Sequence, residues 1–588
     1  MSGAYDDCGS DAYDDGQPRT LDLLSADYGD ASQLTWYVGD DGLVHACAHN
    51  LLRSSANFED GIWGGTGTVA GPQLLSLTAG QTGGYQAFNG TSNRYQSING
   101  ETYTLTSTVE VTAVTTPGEV NGRLLSNTGV NSISATLTNI GDTATLSVTH
   151  IAGSTNMQVF VCNSTTFEGT VKITNLCASV GSETFPYIKT DETGARYMYR
   201  LPENLRRWSG TAYTTSKIVE LNTGVTVNAL VEGVGVTNLV DYHNGDTTGA
   251  WTATRSVWSQ SSDTDPAGAL GAGTITDDST LASTHLIQHN ITVADTVEIR
   301  VQGMFKANGR TEVLLRFVDK AGTTHWVGMD LTDGSQVTSL GSPANIVMKS
   351  MAGGWYFMSF TVGSATGATS PYIAIYPLVS GSVTYDGDGT SGIHMWGVSF
   401  SQTSFVPQPI LTYGSSVTRA AETPTTSDFA GASTNQNWSA EFLAVSLVSG
   451  TALMTFSEFK NFGTELAGFI MSNSSGSMYV TSVVFDGSPV YADLIRRLVT
   501  DTRFSLVVSR DADADVITSA NSDGTSSGVG SASTAAQTVG DDLDYTFYLG
   551  NGTFGSDAPV SGFQIARYLP NALISEAACL KRAQDLMS

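Results

Sequence analysis

The sequence predicts an all-β chain of tandem antiparallel β-sandwiches, and three observations predict it. Apolar and polar residues alternate at period two along much of the chain. Clusters of Gly, Asn, Asp and Ser interrupt these runs at short intervals. One set of residues recurs twice in the same order. The alternation runs through Tyr103, Leu105, Ser107, Val109 and Val111, then Val297, Ile299, Val301 and Phe305, then Tyr356, Met358, Phe360 and Val362. It returns at Phe504, Leu506 and Val508 and at Tyr545, Phe547 and Leu549. Successive strand side chains point to opposite faces, so a half-buried strand reads this way.

The recurrence sets the domain plan. Asn50-Leu51-Leu52 precedes Trp63, and Asn238-Leu239-Val240 precedes Trp251, 13 residues from Asn to Trp in each. Ile173 precedes Phe185 by 12 residues, and Ile393 precedes Phe405 by 12. Between them Leu176, Ala178 and Val180 match Trp396, Val398 and Phe400 as one alternating strand. Ile188-x-Thr190 and Ile410-x-Thr412 follow, then Arg196 and Arg419. The plan is therefore a segment 1–49, a repeat over 50–200, a connection over 201–237, a longer repeat over 238–425 and a different sandwich over 426–588. The one helix predicted is Glu576 to Met587 after Pro570, capped by Ser575, with Leu580, Ala583 and Met587 on one face. Residues 1–49 hold Tyr-Asp-Asp twice and read as an acidic, anchoring arm.

Composition narrows the function. Charged residues are 14 % and the net charge is −28, a surface that repels nucleic acid; the 27 basic residues are scattered apart from four Arg between Arg196 and Arg207, which read as a solvated loop or subunit contact, so no nucleic-acid partner is expected. No apolar run reaches 18 residues, so no membrane insertion is expected, and the start carries no apolar leader. The five cysteines form no CxxC and read as buried thiols rather than a disulfide framework.

Particular segments resemble a family. "NLLRSSANFEDGIWGGTGTV" and "GGWYFMSFTV" resemble carbohydrate-binding-module-like jelly rolls of tailed-phage virion proteins. "FVPQPILTYGSSVTRAAETPT" is similar to the linker after such a module, and "SGFQIARYLPNALISEAACLKRAQDLM" to the end of concanavalin-like, laminin-G-type domains. The resemblance covers about nine tenths of the chain. It implies two jelly-roll repeats plus a concanavalin-like sandwich in a tail fibre, spike or head fibre. It further implies assembly as a homo-oligomer, such as a trimer, with capsid, portal or tail proteins, release by lysis, and attachment to host cell-surface polysaccharide. It also implies a structural calcium at Glu59 and Asp60, although Thr247 and Thr248 stand at that place in the second repeat.

Chemistry is sparse. Gly524-Thr525-Ser526-Ser527-Gly528 matches a nucleophile-elbow pattern but has loop-like flanks and no downstream His. His285 and His289 read as surface histidines on one strand face, too far apart for one ion. Asp511, Asp513 and Asp515, and Asp386 and Asp388, complete no calcium loop and read as turns. Trp63 and Trp251, matched between repeats, read as core. Trp208, Trp258, Trp326 and Trp355 lie near turns and are the candidate sugar platforms, against the commoner use of Trp in a core or subunit interface. The expectation is a glycan-binding, non-enzymatic virion protein. A purely architectural decoration protein and a virion-bound glycan hydrolase stand as alternatives.

Overall fold

The computed structural model describes residues 34–429 with short gaps, of which 89–100 is the longest, then the strands between 438 and 570 and the terminal helix; before 34 it describes 13–14, 17–18, 21–22 and 30–31. Among the described residues the chain is all-β, in antiparallel sheets, with one α-helix at Glu576–Met587.

The two repeats share one topology. In the first, one sheet runs Tyr85–Phe88, Met157–Ser164, Gly118–Ser126, Gly129–Leu137, and the other Thr68–Gly71, Leu74–Leu77, Glu168–Val180, Thr102–Thr116, Thr143–Ile151. In the second, Leu286–Asn290, Tyr372–Leu378, Glu312–Val318 and Thr324–Asp330 take the places of the first sheet. Ser256–Gln260, Gly273–Asp277, Gly392–Ser401, Glu298–Asn308 and Tyr356–Gly363 take those of the second. The second repeat adds Trp251–Thr254 at one edge and the pair Gln336–Leu340 and Ala344–Ser350, one on each sheet. That pair explains most of its extra length: 25 residues lie between Asp330 and Tyr356, against five between Leu137 and Thr143.

The leading Asn has the same work in both copies. Asn50 Nδ2 donates to the carbonyls of Leu176 (3.0 Å) and Ile188 (2.8 Å), and its Oδ1 accepts from the N–H groups of Leu52 and Ala178. Asn238 donates to Val398 (3.1 Å) and Ile410 (2.8 Å) and accepts from Val240 and Phe400. These bonds correct the strand alignment by two residues: Leu176 and Ala178 correspond to Val398 and Phe400. Each copy carries a bulge just before these residues, at Asn175 (φ 51°) in one and Gly397 (φ 62°) in the other. Trp251 is core at 2 % exposure, and Trp63 packs partly buried on the first core.

Domain edges are less clean than the repeat suggests. Trp36–Val38 and Val44–Ala46 are the two buried strands of a hairpin whose Trp36, Val38, Val44 and Ala46 join a core shared by both repeats, so residues 34–49 are not an arm. Leu34, Trp36 and Val38 alternate as a strand must to bury one face. The connection is equally integral: Leu205, Ile218, Val227 and Leu230 share a core with Tyr37, Phe405 and Ile410. In the C-terminal sandwich, Val560–Pro570 pairs with Trp438–Ser446 on one edge; on the other it pairs with Ala229–Glu232 and with Leu21–Asp22. The terminal helix packs Cys579 and Ala583 on Val507 and Ala520, with Leu580 and Leu586 beside them. Its buried face thus centres on Cys579 and Ala583, not on Met587. Ser575 lies outside the described residues. Cys47, Cys162, Cys177 and Cys579 are buried thiols outside any disulfide, and burial pushes Cys162 and Cys177 up to about 12.

Candidate functional site

Each repeat turns one face of its Tyr85- or Leu286-containing sheet away from the sandwich core. In the second repeat, Val313, Leu315, Phe317, Val327, Met329, Ile373 and Ile375 point into the core. Strand alternation puts Leu314, Arg316, Trp326, Tyr372, Ala374 and Tyr376 on the opposite face. There Leu286, Leu314, Ala374, Tyr376 and Leu378 form a separate small apolar cluster, on which Trp326, Tyr372 and Val383 lie partly exposed. Arg316 stands beside Trp326 on the neighbouring strand. Its Nη1 donates to Tyr376 Oη (2.9 Å) and its Nη2 to Thr324 Oγ1 (3.1 Å), and its guanidinium lies 5.5 Å from the Tyr372 ring centre. The exposed Leu340 flanks Trp326 on its other side.

The first repeat builds a similar face from different residues. Arg123, on the strand equivalent to that of Arg316, lies 4.1 Å over the Phe160 ring, and Tyr85 meets Phe160 at 5.4 Å. One row along, Asn163 donates to Asn121 (3.1 Å) and Asn121 to Thr165 (3.2 Å). Aromatic faces, amide groups and hydroxyls together are what a sugar ring requires: apolar C–H faces to cover and hydroxyls to bond.

Of the candidate platforms, Trp326 is on this face. Trp355 is a correction: at 1 % exposure it is core, its indole N–H held by Thr264 O at 3.1 Å, and it offers no free ring. Trp258 is half-buried on the other sheet, its N–H committed to Asn244 O at 3.0 Å. The Trp208 side chain lies outside the described residues. Sequence reasoning missed Arg123, Arg316, Phe160, Tyr372 and Tyr376. Their period-two positions were legible, but which sheet face was core was not.

Of the expected calcium pair, only Glu59 has a described side chain. Glu59 is exposed on a short 3-10 turn, the Asp60 side chain lies outside the described residues, and no group of three His, Cys, Asp or Glu is assembled among the described residues. Asp386 and Asp388 cap turns, through the N–H groups of Ala282 and of Thr390 and Ser391. His285 and His289 are corrected from surface to interior, at 0 % and 3 % exposure, because Tyr385 and Trp251 cover them. Ser526 lies outside the described residues, between paired strands Val516–Ser522 and Ser527–Ser533 rather than before a helix.

One carboxylate pair is out of reach of a polymer. Glu101 and Asp265, each 2 % exposed, meet where the repeats touch. Tyr413 Oη donates to Glu101 (2.8 Å), and Asp265 accepts from the N–H groups of Ala267, Ala269 and Gly271. Burial, then the Asp265 charge, push Glu101 up to about 8.

No family model and no curated protein matches the chain. Among solved structures, the N-terminal CBM22-1–CBM22-2 tandem domain of Paenibacillus barcinonensis Xyn10C is similar over 64 % of this chain and 99 % of its own length, at 9 % identity and a TM-score of 0.20. A likeness at that TM-score carries no argument about what this chain binds. Among the described residues no helix is long and apolar enough to cross a membrane.

Proposed function

We propose that the chain is a non-enzymatic virion structural protein, of fibre, spike or head-fibre type, whose sandwich repeats present their outer sheet faces to host-surface glycans. The observation that carries the glycan reading is the partly exposed group of Trp326, Tyr372 and Arg316 resting on the buried Tyr376, with its counterpart of Tyr85 and Arg123 on the buried Phe160 in the first repeat. The virion setting rests on the resemblance of the Asn50, Gly353 and Phe405 segments to tailed-phage proteins. Two similar faces in one chain, multiplied in a homo-oligomer held by capsid or tail proteins, let weak single sites act together.

The test is binding of the full chain to polysaccharide from the host surface, with Trp326→Ala as comparison. Loss of a stacking ring is expected to weaken binding about tenfold, since such contacts contribute about 1–2 kcal/mol. Unchanged binding by a folded variant would remove the second-repeat face from the reading. Release of new reducing ends from the polysaccharide would overturn the non-enzymatic assignment.

A further inference from the structure

We infer that these two faces select acidic sugars, with a hexuronate carboxylate meeting Arg123 in the first repeat and Arg316 in the second. This rests on the reading of the faces as glycan-binding and adds the ligand's charge to it. The chain has 55 acidic and 27 basic residues, so cations have carboxylates in excess around them. Arg310 pairs with Asp277 and Asp388, Arg419 with Glu232, Lys306 with Asp263 and Lys320 with Asp295. Arg123 and Arg316 do otherwise. Among the described residues neither has a carboxylate partner; each is half-buried beside an aromatic ring, and the Nε of each is buried without an acceptor. The bonds of Arg316 go to two neutral hydroxyls, which orient the guanidinium without neutralising it.

Two repeats of different local sequence place this cation on equivalent strands of the same sheet face. A planar guanidinium flanked by rings binds a carboxylate through paired N–H donors while the rings cover the sugar's apolar face. The −28 net charge opposes a long polyanion, so the fitting ligand is a short or sparsely charged acidic segment.

The experiment uses the full chain with oligogalacturonate and oligomannuronate, each against its carboxyl-reduced counterpart. The wild type is expected to favour the acidic form by about tenfold or more, the scale of one charge-assisted hydrogen bond. The double variant Arg123→Gln/Arg316→Gln is expected to bring the two forms level. If the double variant does not fold, Arg316→Lys serves instead: it keeps the charge, loses the fork, and is expected to lose most of the second-repeat preference. Equal wild-type binding of both forms, or an unchanged ratio in the variants, overturns acid selectivity and leaves glycan binding standing. Binding of neither form by the wild type sinks both readings.

Discussion

Asn50 and Asn238 show how much one buried side chain can hold. Each is 0 % exposed and spends its amide on two carbonyls and two N–H groups from separate segments, tying the first residues of a repeat to its last strand. Replacing Asn238 by Ala strands two carbonyls and two N–H groups away from water. An unmade buried bond is costly, so the expected loss is about 3 kcal/mol, read from denaturant unfolding. Asn238→Asp keeps the acceptor and loses the donor, and should be destabilising too. The 13-residue spacing marked this Asn as a landmark. Its work was not legible, because the acceptors lie more than 120 residues away.

At the scale of elements, the bulge distinguishes the copies from ideal strands. Gly397 at φ 62° has only Met304 Sδ, 3.9 Å away, within 4 Å of an added Cβ, so Gly397→Ala meets conformational cost rather than a clash. The expected loss is about 1–2 kcal/mol. Asn175→Gly, at the matching position, should stay within about 0.5 kcal/mol of wild type, since glycine is at ease where Asn is tolerated. Thermal melts of the two variants check the pair, and a neutral Gly397→Ala would deny the bulge its conformational role. Period two found most strands, yet a one-residue bulge shifts everything beyond it. The matching 12-residue spacings paired Leu176 with Trp396 because a two-residue slip keeps the apolar alternation in phase, and only the bonds of Asn50 and Asn238 separate the two registers. The terminal helix was legible to its ends because Glu576–Met587 is local structure following a proline.

Across the whole molecule, the modules are joined by buried polar contacts as well as by shared cores. Glu101 from the first repeat is held by Tyr413 and lies beside Asp265 from the second; the folded chain keeps a proton on Glu101 that the unfolded chain releases above its ordinary value of 4.5. Between pH 4.5 and about 8, rising pH therefore favours unfolding through this group, and the contribution is gone above about 8. His49 and His243, held down to about 4 and about 3 by burial, act in the opposite sense: they favour the fold above pH 6.5 and lose that effect in acid. Glu101→Gln isolates the first contribution. The variant should gain melting temperature relative to wild type as pH goes from 5 to 9, and a constant difference would show that Glu101 holds no such proton.

The sequence by itself determined the all-β class, the two repeats and the helix, because alternation, turns and repetition are written in neighbouring residues. The tertiary structure decided the rest. It placed residues 34–49 inside a core and added Leu21–Asp22 and Ala229–Glu232 to the edge of the last sandwich. It also sent Trp355 inward and left Trp326 outward beside Arg316. Alternation says that two faces exist. Only the packing of one sheet on another decides which face meets water, and only there can a ligand bind.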